Sequence, residues 1–439
     1  MSGVAQTIVA DLTWTGTALE PNIAVAVDAD GKIARVGPAT DASHTRLPGR
    51  ALFPGMVNAH SHAFQRGLRG YGETFPIGKG SFWTWREAMY GLVERLDAAR
   101  LRTLCVQAFR EMRDAGITAV GEFHYVHHLD PAAHDFALDD VVLTAAREVG
   151  IRLVLLETYY RTGGIGQPLG PGQRRFATPD LSTYWRQIDR LAAALDPSRE
   201  SLGVVAHSIR AAEPVEIGEL RREAQARRLP FHMHVEEQRR EIDECIAAYG
   251  APPMHVILEA LDGAARVTAV HCTHTAPEDM ARYLAAGGRV CACPLTEGNL
   301  GDGITNHAAQ PAAGFRLALG SDSNARIDML EEMRWLEYGQ RLRAESRGML
   351  ADAEGSVARA LFGVATEGGA EALSLPAGRI AAGAWADFFT VDLAAPAIAE
   401  TPPEHLLDAV IFGADSSAIA ATCVGGRWRS RAVTSDKEL

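Results

Sequence analysis

The chain is organised around the stretch Phe53-Pro54-Gly55-Met56-Val57-Asn58-Ala59-His60-Ser61-His62-Ala63-Phe64-Gln65, in which Pro-Gly separates an apolar run from a strand-like segment. Side chains alternate between the two faces of a strand, so we expect His60 and His62 to point in the same direction. Two converging imidazoles are typical ligands of zinc and other first-row divalent cations. The alternative is a pair of unrelated polar residues at a strand end, because short motifs also arise by chance. The rest of the chain must decide between the two.

The composition limits the classes of protein to which the chain can belong. Its 439 residues, 47% hydrophobic and 22% charged, are typical of a globular protein with one large domain and an appendage, or with two domains. The net charge of -12 argues against a nucleic-acid-binding surface, which requires clustered cations. No apolar run approaches the length of a membrane span, and no secretory signal pattern is present. Six cysteines without a CxxC pair indicate reduced thiols, so we expect a cytoplasmic protein without a membrane or nucleic-acid partner.

Both ends of the chain are rich in short strand patterns. Asp30-Gly31 lies between alternating segments, which is a strong signal for a β-hairpin. We therefore expect residues 1–52 and 378–439 to pair into one small β-sandwich domain, with the middle of the chain inserted between them. The predicted terminal strands are 7–10, 23–27, 33–36, 378–380, 384–391, 409–412 and 422–428.

The middle of the chain, residues 53–377, alternates apolar strand patterns with amphipathic helix patterns. Continuous apolar runs are typical of parallel strands buried on both faces, and eight strand-helix units predict a (β/α)8 barrel of the α/β class. The loop 161–175 is too long for a structural turn and is a candidate substrate lid. The predicted strands are 51–58, 119–125, 153–158, 203–207, 230–235, 267–272, 290–294 and 317–320. The main predicted helices are 101–115, 139–149, 217–228, 278–286 and 328–342.

Four of these strands end in metal-binding side chains. The active sites of such barrels lie at the carboxyl ends of the strands, so residues at those ends should converge. Three imidazoles and one carboxylate form a plausible site for one divalent cation, zinc in preference, with a water as the remaining ligand. Parity does not separate His232 from His234, but we interpret His232 as a hydrogen-bonded core residue. The strand-end residues are His60, His62, His232, His234, Glu236, Glu237, His271 and Asp322.

Two further patterns bear on the number of metals. A carbamylated lysine that bridges two metals would lie on an inner strand, and the predicted fourth strand, 203–207, has no lysine. One metal is therefore expected at the barrel mouth. His124, His127 and His128 resemble a second cluster, but they share one predicted loop, and we interpret them as loop residues that do not bind this metal.

These residues carry a resemblance to the amidohydrolase superfamily, whose pattern is a first-strand HxH, a fifth-strand His, a sixth-strand His and an eighth-strand Asp. The segment His234-Val235-Glu236-Glu237 resembles the HxxE motif of its deaminase branch. Within that branch, the chain resembles the formimidoylglutamate deiminase family over nearly its whole length. The segments that carry this resemblance are HSHAFQR at 60–66, FWTWRE at 82–87, FHYVHH at 123–128, GQRRF at 172–176, TEGNLGDG at 296–303 and RWLEYGQR at 334–341.

The resemblance implies a function and a set of roles. The implied reaction is the metal-dependent hydrolysis of N-formimino-L-glutamate to N-formyl-L-glutamate and ammonia, a step of histidine degradation, by a homodimer. It implies that Glu237, His271 and Asp322 transfer protons. It implies the metal ligands His60, His62, His234 and Asp322, and contacts to a small dicarboxylate substrate by Gln65, Arg86, Tyr125, His207 and Arg210.

The chain departs from the family pattern at two positions. The family usually has His at the position of Asn324 and Ala at the position of Glu236. These departures leave the chemistry intact and concern the preference for formimino-glutamate over close analogues. Arginine forks suit carboxylates, but by themselves Arg86 and Arg210 would be interpreted as surface residues paired with acids, and it is the resemblance that favours contacts to an acidic substrate.

Two other functions remain open from the sequence. The first is a deaminase of a ring amidine such as a purine or pterin, which would not require Arg86 and Arg210. The second is a non-catalytic scaffold on the same fold, although such proteins lose metal ligands and every expected ligand is present here.

Overall fold

The computed structural model describes residues 4–40, 45–71, 73–74, 80–309 and 316–431. Its strands are β1 (Val4–Trp14), β2 (Leu19–Glu20), β3 (Ile23–Asp28), β4 (Ile33–Pro38), β5 (Thr45–Pro54), β6 (Met56–Ser61), β7 (Ile117–His124), β8 (Arg152–Tyr159), β9 (Glu200–Ala206), β10 (Phe231–Val235), β11 (Val267–His271), β12 (Arg289–Ala292), β13 (Leu317–Leu319), β14 (Phe388–Asp392), β15 (Ile419–Val424) and β16 (Arg427–Ser430).

The α-helices are α1 (Phe82–Glu94), α2 (Ala98–Asp114), α3 (Asp139–Val149), α4 (Leu181–Ala194), α5 (Pro214–Ala226), α6 (Arg239–Tyr249), α7 (Pro253–Leu261), α8 (Pro277–Ala285), α9 (Pro294–Leu300), α10 (Met329–Ala344), α11 (Val357–Gly363), α12 (Gly369–Ala372) and α13 (Leu406–Gly413). Short 3₁₀ helices cover Ala63–Leu68, Pro171–Phe176, His307–Ala309, Pro403–His405 and Ser416–Ala418, and one π turn covers Val364–Gly368.

Strands β6 to β13 form a nearly closed parallel barrel. Each strand pairs in parallel with the next in chain order, and a parallel bridge between Ser61 and Asp322 joins the last strand end to the first. Every residue of β7 and β8 is buried, as expected when a parallel sheet is covered on both faces. The predicted (β/α)8 barrel is therefore confirmed, and its closure brings strand ends that are distant in sequence to one mouth.

Both ends of the chain form a second, mixed sheet, in the order β16-β15-β14-β5-β1-β3-β4, with β2 paired to β1. Strands β1 and β5 run parallel, whereas the neighbouring pairs are antiparallel. The predicted Asp30-Gly31 hairpin joins β3 to β4. The expectation that the two termini build one β-domain is thus confirmed.

The first predicted barrel strand, 51–58, is divided between the two sheets. Residues up to Pro54 belong to β5 of the mixed sheet, and the barrel strand β6 starts at Met56. The division falls at Gly55, where a Cβ atom would overlap the side chain of Thr118. The chain therefore crosses from one sheet to the other where only glycine fits.

Two predictions near the C-terminus were wrong. Residues 409–412 form part of helix α13, which packs against α10 and α11. A short apolar run does not by itself distinguish a buried strand from a buried helix, and packing against two helices decided it here. The second wrong prediction is the strand at 378–380, where the chain forms a bend. The predicted strand 422–428 is present but divided between β15 and β16, which pair around Gly425-Gly426.

A buried ion pair links the barrel to the mixed sheet. Arg152 of β8 donates from Nε and Nη2 to the two carboxylate oxygens of Asp387, at 2.7 and 3.0 Å. Its guanidinium also lies 4.0 Å from the ring centroid of Trp385.

All six cysteines are buried and free. Among the helices of the described chain, none has the length and apolar character needed to cross a membrane.

Candidate metal and substrate site

Four of the predicted ligands meet at the mouth of the barrel. Nε2 of His60 lies 3.3 Å from Nε2 of His234 and 3.3 Å from Oδ1 of Asp322, and Nε2 of His62 is also 3.3 Å from that oxygen. Four ligands at zinc distances of about 2.0–2.1 Å form a tetrahedron with edges of about 3.3 Å. Three of the six distances between these atoms therefore match the coordination shell of a small divalent cation, and all four atoms lie within 4.8 Å of one another.

Hydrogen bonds orient the rings of His62 and His234 so that the lone pair of each Nε2 points towards the centre of the four-ligand group. Nδ1 of His62 donates to the carbonyl of Phe123 at 2.8 Å, and Nδ1 of His234 donates to the carbonyl of His207 at 3.0 Å. A carbonyl only accepts, so the proton of each neutral ring lies on Nδ1 and Nε2 carries a free lone pair. Such partners are typical of metal-binding histidines.

Burial keeps these rings neutral. It lowers the pKa of His62 to about 3, with a further contribution from the neighbouring His60, and it lowers the pKa values of His60 and His234. Burial alone would raise the pKa of Asp322, but the hydrogen bond and the charge interactions with the imidazoles lower it below its usual range. Neutral imidazoles and an ionised carboxylate are the donor forms that a divalent cation requires.

Backbone conformation at the strand ends contributes to this convergence. His271 and Asp322 have φ angles of 71° and 43°, in the left-handed region that non-glycine residues rarely adopt. Gly320, two residues before Asp322, lies against barrel strand β6, where a Cβ atom on Gly320 would be 2.7 Å from Cβ of His60. The eighth strand can approach His60 this closely only because it lacks a side chain at this position.

His271 and Glu237 lie beside the four-ligand group. Nε2 of His271 is 3.8 Å from both Oε1 of Glu237 and Oδ2 of Asp322, and its Nδ1 is 3.3 Å from Oε1 of Glu297. Burial lowers the pKa of His271, but Glu237, Glu297 and Asp322 together raise it to about 10. Burial raises the pKa of Glu237. His271 therefore holds a proton next to the site, and the pKa of Glu237 is shifted towards that of a proton donor.

A pocket opens directly over this group. It contains about 630 Å³ of empty space, counting the part that opens to solvent. All the predicted substrate contacts line it, namely Gln65, Arg86, Tyr125, His207 and Arg210, together with His62, His234, Glu237, His271 and Asp322. Gly163 of the predicted lid loop also lies in its wall.

Arg86 projects from α1 into the pocket and has no carboxylate partner among the described residues. Its Nε donates to the hydroxyl of Tyr90 at 2.5 Å, and its guanidinium lies 5.1 Å from the ring centroid of Trp83. The aromatic rings fix the fork but leave its charge unneutralised. Arg86 can therefore accept an anionic group of a ligand.

Arg210 differs from Arg86 because it already has acidic partners. Its Nε lies 3.2 Å from Oε2 of Glu241, and its Nη2 lies 3.7 Å from Oε2 of Glu237. It follows β9 and is buried. Arg210 therefore links the pocket wall to the carboxylate of Glu237.

The remaining predicted contacts form one side of the pocket. Nε2 of Gln65 donates to the hydroxyl of Tyr125 at 2.8 Å, whereas its buried Oε1 has no hydrogen-bond partner in the described chain. The ring of His207 lies 4.9 Å from that of His234 and 4.6 Å from that of Tyr160. The unpartnered Gln65 oxygen is an acceptor available to a ligand N–H.

The sequence did not identify several residues of this site. Tyr90, Tyr160 and Trp85 line the pocket, and Glu297 of α9 contacts His271. Single aromatic residues, on helix α1 or directly after strand β8, resemble core residues, so their pattern carried no signal. Glu297 lies in the family-like segment 296–303, to which no role had been assigned.

The two departures from the family pattern lie behind the site. Asn324 donates from Nδ2 to Oγ of Ser61 at 3.1 Å and accepts from Ser321 at 2.6 Å. Glu236 accepts from the backbone N–H of Met254 at 2.9 Å. Neither side chain lines the pocket. His232 is also outside the ligand group, because its Nε2 donates to the carbonyl of Ala372, as expected of a core imidazole.

A model of the amidohydrolase family matches residues 51–429 of the chain. The chain belongs to the amidohydrolase family. The matched range contains the barrel, the four-ligand group and the pocket. The resemblance to the amidohydrolases that was seen in the sequence is therefore confirmed.

Two curated amidohydrolase relatives match most of the chain. Formimidoylglutamate deiminase of Pseudomonas aeruginosa is 39% identical over 416 residues, which cover 93% of this chain and 90% of that protein. A 5-methylthioadenosine/S-adenosylhomocysteine deaminase of Natronomonas pharaonis is 29% identical over 93% of this chain and 87% of that protein.

Solved structures agree with the fold. An amidohydrolase from Brucella melitensis superposes with a TM-score of 0.87 and 33% identity, covering 97% of this chain and 94% of that chain. An adenosine deaminase from Xanthomonas campestris superposes with a TM-score of 0.81 and 24% identity, covering 98% and 94%. The barrel and the terminal sheet are thus shared with known amidohydrolases.

Proposed function

We propose that this amidohydrolase hydrolyses N-formimino-L-glutamate to N-formyl-L-glutamate and ammonia. The observation that carries the proposal is the unneutralised Arg86 fork in the wall of the pocket that opens over the four-ligand group. A substrate with a formimino group at one end and two carboxylates at the other requires both features. The identity of 39% to a formimidoylglutamate deiminase over 93% of the chain supports the same substrate.

We propose that His60, His62, His234 and Asp322 hold one divalent cation, zinc in preference. Three imidazole nitrogens and one carboxylate oxygen with edges of 3.3 Å suit this ion. When bound, such a cation lowers the pKa of a water to about 7 and so supplies hydroxide at neutral pH.

The chain's own residues then move the protons. Asp322 uses Oδ1 toward the ligand group, and its Oδ2, 3.8 Å from His271, is free to accept a proton from the attacking water. Glu237 lies 3.8 Å from the same ring and delivers protons to the leaving nitrogen. The oxygen of water ends on the formyl carbon, and both its protons end on the departing ammonia. Glu297 holds Nδ1 of His271 and thereby orients the ring.

The pocket residues bind the rest of the substrate. Arg86 binds a carboxylate through its fork, and Gln65 accepts an N–H of the substrate at its unpartnered Oε1. Arg210 and His207 complete the wall. We also propose that the loop 161–175, which contributes Gly163, covers the bound substrate, and that the enzyme acts as a cytoplasmic homodimer.

The second candidate is deamination of a ring amidine, which the similarity to the 5-methylthioadenosine/S-adenosylhomocysteine deaminase favours. The two candidates differ in their dependence on Arg86, because a neutral ring has no carboxylate to bind. Ammonia release from N-formimino-L-glutamate, N-formimino-L-aspartate, guanine and 5-methylthioadenosine, measured in parallel with the native chain, tests the proposal. We expect turnover of N-formimino-L-glutamate. Turnover of a purine alone would overturn the substrate assignment.

A further inference from the structure

A second group of buried metal-ligating side chains lies outside the barrel wall. Phe123 faces the barrel interior, where its ring is 4.4 Å from that of His234, so the next residue, His124, faces the surrounding helices. There, Nε2 of His124 lies 3.1 Å and Nδ1 of His127 lies 3.0 Å from Oδ1 of Asp139. These three atoms all lie within 4.8 Å of one another.

Three different elements build this group, contrary to the expectation that its histidines belong to one loop. His124 is the last residue of β7, Asp139 is the first residue of α3, and Glu157 of β8 places Oε1 3.4 Å from Nδ1 of His127. All of these side chains are at most 2% exposed. The convergence of a strand end, a helix start and a neighbouring strand is typical of a built site.

Glu157 is the residue that hydrogen bonding within the chain does not explain. Both of its carboxylate oxygens are buried without a hydrogen-bond partner in the described residues. A buried carboxylate without a charge partner is strongly destabilising. An ionised Glu157 carboxylate therefore requires a cation beside it.

The hydrogen bonds of His127 indicate where that cation would lie. Its Nε2 donates to the carbonyl of Thr158 at 2.8 Å, so this is the nitrogen that carries the proton when the ring has only one. Its Nδ1, which faces Asp139 and Glu157, then has a lone pair pointing at two acceptors. A divalent cation at this point would neutralise both carboxylates and accept both nitrogen lone pairs.

We propose that His124, His127, Asp139 and Glu157 bind a second divalent cation of the first transition row, separate from the one at the barrel mouth. Two imidazoles and two carboxylates suit zinc, and the three contacts of 3.0–3.4 Å that link their ligand atoms in turn are close to a tetrahedral edge of about 3.3 Å. Gln187 holds the other Asp139 oxygen at 2.6 Å, as an outer partner of a ligating carboxylate does. The ion would fix the end of β7, which carries Phe123 and leads into Tyr125.

The experiment measures metal content per chain by mass spectrometry, after expression with zinc and gel filtration into metal-free buffer. We expect two equivalents for the native chain and one for His60→Ala/His62→Ala, which lacks the barrel site. Glu157→Gln should lose one equivalent and keep the other, because an amide is a poor substitute for an anionic ligand. The matched control is His128→Gln, since His128 is a buried histidine of the same segment that bonds to Ala177 and Phe136 instead.

A direct measurement removes the dependence on variants. An anomalous difference map from native crystals at the zinc edge should contain a peak between His124 and Asp139 in addition to one at the barrel mouth. The proposal is wrong if the native chain holds a single equivalent that disappears in His60→Ala/His62→Ala and that variant binds no added zinc chloride. It is also wrong if Glu157→Gln retains the native metal content, because Gln resembles a protonated, non-ligating Glu.

Discussion

Glu237 lies with Oε1 3.8 Å from Nε2 of His271, and the same nitrogen is 3.8 Å from Oδ2 of Asp322. The imidazole is therefore placed between the carboxylate of the four-ligand group and the carboxylate that faces the pocket. In the reaction proposed above, this relationship would provide the path by which a proton from water reaches the leaving nitrogen. Its residues come from β11, the segment after β10 and the segment after β13, so their meeting depends on the closure of the barrel.

Replacing Glu237 tests the proton path. We expect Glu237→Gln to lower kcat for N-formimino-L-glutamate by about 10²- to 10⁴-fold, the usual contribution of positioned proton transfer. The metal content at the barrel mouth should stay at the native level, because Glu237 is not one of the four ligands. Steady-state ammonia release and metal analysis check both statements. A kcat within tenfold of the native value would contradict the assigned role.

Replacing Arg86 should weaken substrate binding without affecting stability, whereas replacing Arg210 should affect both. Arg86→Met should raise KM and lower kcat/KM by about 10- to 100-fold, which corresponds to the loss of a charged hydrogen bond of about 1.5–3 kcal/mol. Stability should change little, because Arg86 has no carboxylate partner in the described chain. Arg95→Met, at an exposed arginine just after α1, is the control and should leave KM unchanged. An unchanged KM in Arg86→Met would contradict a carboxylate-binding role.

Arg210→Met should destabilise the fold as well as impair catalysis. It removes the partner of the buried Glu241 and Glu237 carboxylates, and breaking a buried pair costs about 3–5 kcal/mol. Urea denaturation compared with that of Arg86→Met provides the measurement. Equal stability of the two variants would show that the acidic partners of Arg210 do not require its charge.

Gly320 offers a test of the metal site that changes no ligand. In Gly320→Ala the new Cβ would lie 2.7 Å from Cβ and 2.8 Å from the carbonyl oxygen of His60, so strand β13 or His60 must shift. We expect metal affinity to fall by about 10- to 100-fold, as for losses of supporting contacts around a metal site. Competition with a chelator measures this. Gly298→Ala is the matched control, because its Cβ would meet no atom within 4 Å.

The ion pair of Arg152 and Asp387 should stabilise the contact between barrel and terminal sheet. Arg152→Met leaves a buried carboxylate unpaired, and we expect the free energy of unfolding to fall by about 3–5 kcal/mol. The double variant Arg152→Met/Asp387→Leu should recover much of this loss, since no charge stays buried. Arg50→Met is the control, because the Arg50–Asp392 pair is about one third exposed and such pairs contribute about 0–1 kcal/mol. A similar loss in both single variants would contradict the argument.

The predicted elements that the structure confirms are those whose sequence pattern has a strong physical cause. Helix α3 runs from Asp139 to Val149, as predicted, because its apolar periodicity ends at Gly150, which has a φ of 74° and closes the helix. Strands β7 to β11 match within a few residues, since parallel strands are apolar throughout. The pattern at 409–412 failed because four apolar residues fit a buried helix as well as a strand.

The sequence by itself determined the identity of the metal-type residues, because HxH at 60–62, the motif after the fifth strand, His271 and Asp322 each follow a recognisable apolar strand. Only the tertiary structure decided which of them share a point: His234 faces the barrel mouth, whereas His232, on the same face of the same strand, bonds to Ala372 deeper in the barrel. It also separated Arg86 from Arg210 and brought Glu157 to His127. The sequence gives the chemistry of each side chain, but the fold decides which side chains contact each other. Strand ends that are far apart in the chain become neighbours only when the barrel closes.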